Sequence, residues 1–126
     1  MTTQARDVTS VGVLVVCADR NFQRYARAVL VQGGHQVFIT AMSAVDVAVQ
    51  VRLRSPQVVV LDVDHQHADN VRAAFGRIVV VEVSDEPEAT GGATVGKWDG
   101  GPALLDAVER AAVAARRRSM LYLVRP

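Results

Sequence analysis

Residues Gln57 to Asn70 read QVVVLDVDHQHADN, an apolar run that ends on Asp62 and is followed at once by Asp64, His65 and His67. Side chains two apart on a strand share a face, so Asp62 and Asp64 can converge. With the two imidazoles they form a mixed nitrogen and oxygen set acceptable to Zn²⁺ or another transition metal. No second Cys or His cluster elsewhere in the chain completes that set. The alternative is a polar loop that closes a strand. A second chemically distinctive group is Lys97, the sole lysine beside thirteen arginines. An ammonium on a flexible stem reaches a carboxylate or an anion in ways the planar guanidinium does not.

Other chemistries find little support. Gly33-Gly34 and Gly91-Gly92 are isolated pairs, not the spaced glycines of a phosphate-cradling loop. No Gly-x-Ser-x-Gly elbow occurs. The single Cys17 rules out an internal disulfide and suits a reducing compartment. A net charge of +1 argues against a protein built to neutralise nucleic-acid phosphates. The start, MTTQARDVTS, lacks a signal-peptide core, and no apolar run is long enough for a membrane helix, so a cytoplasmic domain is expected.

The elements that must position Asp62 and Lys97 follow from periodicity. Half of the 126 residues are apolar, enough for one core. Val11–Val16 reads as a strand buried on both faces. Phe22, Tyr25, Ala26, Val29 and Leu30 recur at helical spacing, with Asp19 or Asn21 as cap and Gly33-Gly34 as stop. Gln36–Thr40 is the next strand. Ser43 caps a helix whose inner stripe is Ala44, Val47, Ala48 and Val51, closed by Ser55-Pro56. Val58–Leu61, Arg77–Val83 and Thr94–Gly96 read as further strands, the last very short. Val71, Ala74 and Phe75 allow barely two helical turns. Pro102 opens a last helix with Leu104, Leu105, Val108, Ala111, Ala112 and Ala115 inward, and Arg116–Arg118 at its favourable cationic end. Only ten residues separate Val83 from Thr94, too few for a full helix and two turns, so the helix between strands four and five is expected to be missing or very short.

Strands alternating with helices imply a parallel sheet with helices on both faces and a working surface beyond the strands' carboxyl ends. Asp62 sits at such an end. From about Val11 to Ala112 the chain resembles the receiver domains of bacterial two-component response regulators. The run Ser55-Pro-Gln-Val-Val-Val-Leu-Asp62 is similar to that family's approach to its phosphoacceptor, and Lys97 and Leu104 have the spacing of its lysine and helical leucine. The resemblance implies a flavodoxin-like α/β/α sandwich with five parallel strands in the order 2-1-3-4-5. It further implies Asp62 as phosphoacceptor, Lys97 as its phosphate-pairing cation, and Ser84 or Glu82 at the switch position. The cofactor it implies is Mg²⁺.

The departures are as specific as the matches. Cys17-Ala18 stand where the family has an acidic pair for Mg²⁺, which requires oxygen ligands. Asp19, one residue late, and Asp64 are the remaining acidic metal candidates. Thr94 stands near the aromatic switch position and Trp98 where a proline follows the lysine. The expectation is therefore a degenerate, non-enzymatic receiver over residues 11–118. A flexible stretch at 1–10 precedes it and an apolar tail at 119–126 follows. It is expected to bind a protein partner, a histidine kinase or downstream regulator, with little or no dependence on phosphorylation. A phospho-accepting receiver and a metal-binding module using Asp62–His67 are the alternatives. The tail, SMLYLVRP, either folds back or is exchanged with a second copy as a homodimer.

Overall fold

The computed structural model describes residues 10–87 and 94–124. Five strands, β1 (Gly12–Val16), β2 (Gln36–Thr40), β3 (Val58–Asp62), β4 (Val79–Ser84) and β5 (Val95–Gly96), form one sheet in the order β2-β1-β3-β4-β5. Every pairing is parallel. The helices are α1 (Arg20–Gln32), α2 (Ala44–Arg54), α3 (Ala68–Arg72) and α4 (Gly101–Val124), with a 3₁₀ turn at Ala73–Phe75 after α3. This is the flavodoxin-like arrangement expected from the sequence.

The sheet is apolar on both faces because helices cover both, and alternate strand residues feed two separate clusters. Val13, Val15, Val60 and Val83 pack with Phe22 and Leu30 of α1 and with Leu104 and Val108 of α4. Leu14, Val16, Val59 and Leu61 pack with Val47 of α2, Val71 of α3 and Phe75. Helices α1 and α4 therefore cover one face, and α2 with the short α3 covers the other.

Local expectations are met in part and corrected in part. Asp19, not Asn21, caps α1: its carboxylate accepts the Asn21 and Phe22 amides at 2.8 and 3.4 Å. The stop is Gly33 with Gly34 at φ +94°, a conformation an L side chain rarely adopts. In α2 only Val47 is buried and Val51 partly so, while Ala44 and Ala48 are exposed. Strand β4 starts two residues later than Arg77, because Gly76 at φ +61° turns the chain first. The stunted third helix is as expected, one turn plus the 3₁₀ turn.

Helix α4 runs on to Val124, so Arg116–Arg118 lie inside it rather than at its carboxyl end. No Gly or Pro interrupts residues 103–124, and the backbone of residues 119–124 continues the helix. Arg118 instead donates to the Arg77 carbonyl at 2.8 Å, pinning α4 to the start of β4. Most of the link between β4 and β5, residues 88–93, lies outside the described residues, as do residues 1–9 and 125–126, and with them the expected loss of a helix there and the expected flexible start.

Leu104 is fully buried at the top of α4 and anchors it on the sheet. Leu104→Ala is expected to cost about 2–5 kcal/mol of stability, read from urea unfolding followed by circular dichroism.

Candidate functional site

Parallel register brings the carboxyl ends of β3, β4 and β5 side by side, with Asp62 paired to Val83 and Ser84 to Gly96. The chain after each strand then turns across this rim. Asp62 is the last residue of β3, Asp64 stands in the following turn, Ser84 ends β4, Asp85 follows it, and Lys97 follows β5. Residues 62 to 97 thus meet because three strand ends coincide.

At the centre is the Lys97 ammonium. Its Nζ lies 2.9 Å from Asp62 Oδ1, 3.1 Å from Asp64 Oδ2 and 3.8 Å from Asp85 Oδ2. Lys97 and Asp62 are both nearly inaccessible, at 4% and 5% exposure, so their ion pair is shielded from water. Burial alone lowers a lysine's pKa, but the hydrogen bonds to Asp62 and Asp64 outweigh it and hold Lys97 above its ordinary value.

Asp64 is held by three donors. Oδ1 accepts the Ser84 hydroxyl at 2.6 Å, and Oδ2 accepts the Asp85 amide at 2.7 Å as well as Lys97. Its own amide donates to Asp62 Oδ1 at 3.0 Å. Partial burial raises its pKa, yet the bonds from Ser84, Asp85 and Lys97 prevail and hold it below the usual carboxylate value.

Where the family's acidic pair would stand, the thiol of Cys17 is buried and donates to Asp62 Oδ2 at 3.5 Å. Burial, with the Asp62 charge adding to it, pushes Cys17 up to about 12, so it stays a neutral thiol. Ala18 is exposed, and the Asp19 carboxylate is spent on the α1 cap.

The structure separates the two switch candidates. Ser84 is buried at the rim, whereas Glu82, two residues back on the same face of β4, pairs with Arg72 Nη2 at 2.7 Å. In the loop after β3, the Nδ1 of His65 accepts the His67 amide at 3.1 Å, and the two rings lie 5.3 Å apart. No group of three or more His, Cys, Asp or Glu side chains is gathered to hold a metal ion among the described residues.

Two features were not foreseen from the sequence. Asp85 was not singled out, because only the return of the chain after β4 brings it to Lys97. Trp98, half exposed, packs edge-on against Phe22 at 5.7 Å and against Tyr25 at 5.3 Å, tying the turn after β5 to α1. The apolar stripe of α1 had named both partners, but nothing local marked Trp98 as the third ring.

The fold has known counterparts. The anti-anti-sigma factor PhyR from Bartonella quintana superposes with a TM-score of 0.75 at 16% identity, covering 98% of this chain and 57% of its own. The fold is that of a receiver domain. The response-regulator REC domain of PhyR from Erythrobacter litoralis matches over 85% of this chain and 93% of its own, with a TM-score of 0.69 at 18% identity. NtrX from Brucella abortus matches over 92% of this chain but 29% of its own, at 0.74 and 19%. The chain thus spans little more than half of the PhyR protein from Bartonella and less than a third of NtrX. No protein-family model matches the sequence, and no curated protein matches it. No helix among the described residues is long and apolar enough to cross a membrane.

Removing the cation while leaving the acids exposes the pair's dependence. Lys97→Met leaves Asp62 buried without a compensating charge and is expected to destabilise the fold by about 3–5 kcal/mol. The double variant with Asp62→Asn is expected to recover most of that loss in urea unfolding. A pH series tests Asp64. Because its pKa is depressed on folding, its contribution is present above about pH 4 and is lost as pH falls through the lower folded value. The stability difference between the parent and Asp64→Asn should therefore be constant near neutrality and shrink only in acid.

Proposed function

We propose that this domain is an atypical response-regulator receiver that engages a protein partner with little or no dependence on phosphorylation. One observation carries the reading: the groups that would meet a phosphoryl group on Asp62 are already committed to the chain's own carboxylates. Lys97 contacts Asp62, Asp64 and Asp85, and the Ser84 hydroxyl and Asp85 amide both donate to Asp64. A phosphoryl group would enter beside three carboxylates offset by one ammonium, and like charges repel.

A Mg²⁺ ion would relieve that repulsion, but the residues present do not fit one. The ion needs near-octahedral oxygen ligands. Cys17 offers a neutral thiol, Asp19 caps a helix, and both oxygens of Asp64 already accept hydrogen bonds. Phosphoryl transfer relies on such a cation to offset developing charge.

The partner is read as a protein of a two-component pathway, a histidine kinase or a downstream regulator. The damaged site argues for recognition of a fixed surface over a phosphorylation-gated one. A phospho-accepting receiver is the second reading, favoured by the 2.9 Å approach of Lys97 to Asp62 and by Ser84 at the end of β4.

Incubation with phosphoramidate and Mg²⁺, followed by intact mass measurement, separates the two. The mass is expected to stay unchanged. A gain of one phosphoryl group that disappears in Asp62→Asn would establish the second reading instead.

A further inference from the structure

Helix α2 carries more apolar surface than the sheet can cover. Val47 and Val51 face inward, and the opposite side presents Val45, Val49 and Leu53 at 72%, 47% and 69% exposure. These three are four residues apart, so they stack into one continuous row along the outer face. Asp46 and Arg52 flank the row. Each stands three residues from Val49 and about 60° to either side of it around the helix. Both are exposed, and neither forms an ion pair among the described residues.

That placement of charges is self-complementary. Rows of residues four apart interdigitate, ridge into groove, when two helices cross at about 50°. If two copies of α2 cross in this way, with a two-fold axis running between and parallel to the two rows, Val49 packs beside Val49 of the other copy. Asp46 of each copy then falls beside Arg52 of the other, giving two reciprocal ion pairs around an apolar centre. An isologous contact of this kind requires one surface to complement itself, and this one does. We propose that the outer face of α2 is a dimer interface between two copies of this chain.

The contact is small and belongs with weak, reversible associations. It leaves the rim at Asp62 and Lys97 untouched, so its test is independent of whether Asp62 takes a phosphoryl group.

Sedimentation equilibrium over about 10 μM to 1 mM chain, the range of weak association, provides that test. The parent is expected to associate into dimers, and Val49→Glu to weaken them at least about tenfold by placing like charges at the centre. Asp46→Arg alone should also weaken the dimer, while Asp46→Arg combined with Arg52→Asp should restore it. Both substituted positions are exposed, and circular dichroism checks that each variant is folded. A monomeric parent across the whole range overturns the proposal. So does a dimer that survives Val49→Glu, as one built through residues 119–126 would, or a double variant no tighter than Asp46→Arg.

Discussion

A single buried ammonium holds the carboxyl-end rim of the sheet together. Three strand ends each bring carboxylates or their neighbours to one point, and Lys97 is the only cation paired with them among the described residues. Asp62 is too deeply buried to be hydrated, so it requires that partner. Such a pair adds little net stability relative to a well-packed apolar substitute, but its half-removal is costly. Its consequence is specificity of arrangement: β3, β4 and β5 are tied at their ends by charge as well as by the sheet ladder.

Asp64 extends that tie into a closed network. Its carboxylate takes the Ser84 hydroxyl, the Asp85 amide and the Lys97 ammonium together, so the turns after β3 and β4 are joined through one side chain. Lys97 offsets part of that negative charge from within the chain. Cys17 borders the network on its other side. A neutral thiol beside Asp62 adds no charge and accepts none.

The two faces of the sheet are not covered equally. On one, α1 and the long α4 bury a continuous apolar layer, reinforced by the three-ring contact of Trp98 with Phe22 and Tyr25. On the other, α3 is a single turn and α2 alone spans most of the surface. A helix has one inward stripe about a third of its circumference wide, so the valines and leucine of α2 beyond that stripe remain outside. That surplus separates a covered side from one with exposed apolar area.

The strands, their parallel arrangement and the position of Asp62 at a carboxyl end were legible in the sequence, because burial on both faces forces near-continuous apolar runs and short-range periodicity records which residues are buried. Their order came from the resemblance. The prominence of Lys97 was legible for a chemical reason: it is the one ammonium in a chain of guanidiniums. Register and long-range meeting were not. Ser84 and Glu82 were equally eligible until strand pairing put Ser84 at the rim and Glu82 on Arg72. Asp64 read as a loop residue or a metal ligand until β4 and β5 placed three donors around it. In α2, Ala44 and Ala48 read as core beside Val47 and Val51, since periodicity counts apolar residues but not the area a neighbouring element can cover. Local chemistry is written residue by residue; which groups share a charge depends on strand ends that lie up to 35 residues apart in the chain, and only the folded sheet brings them together.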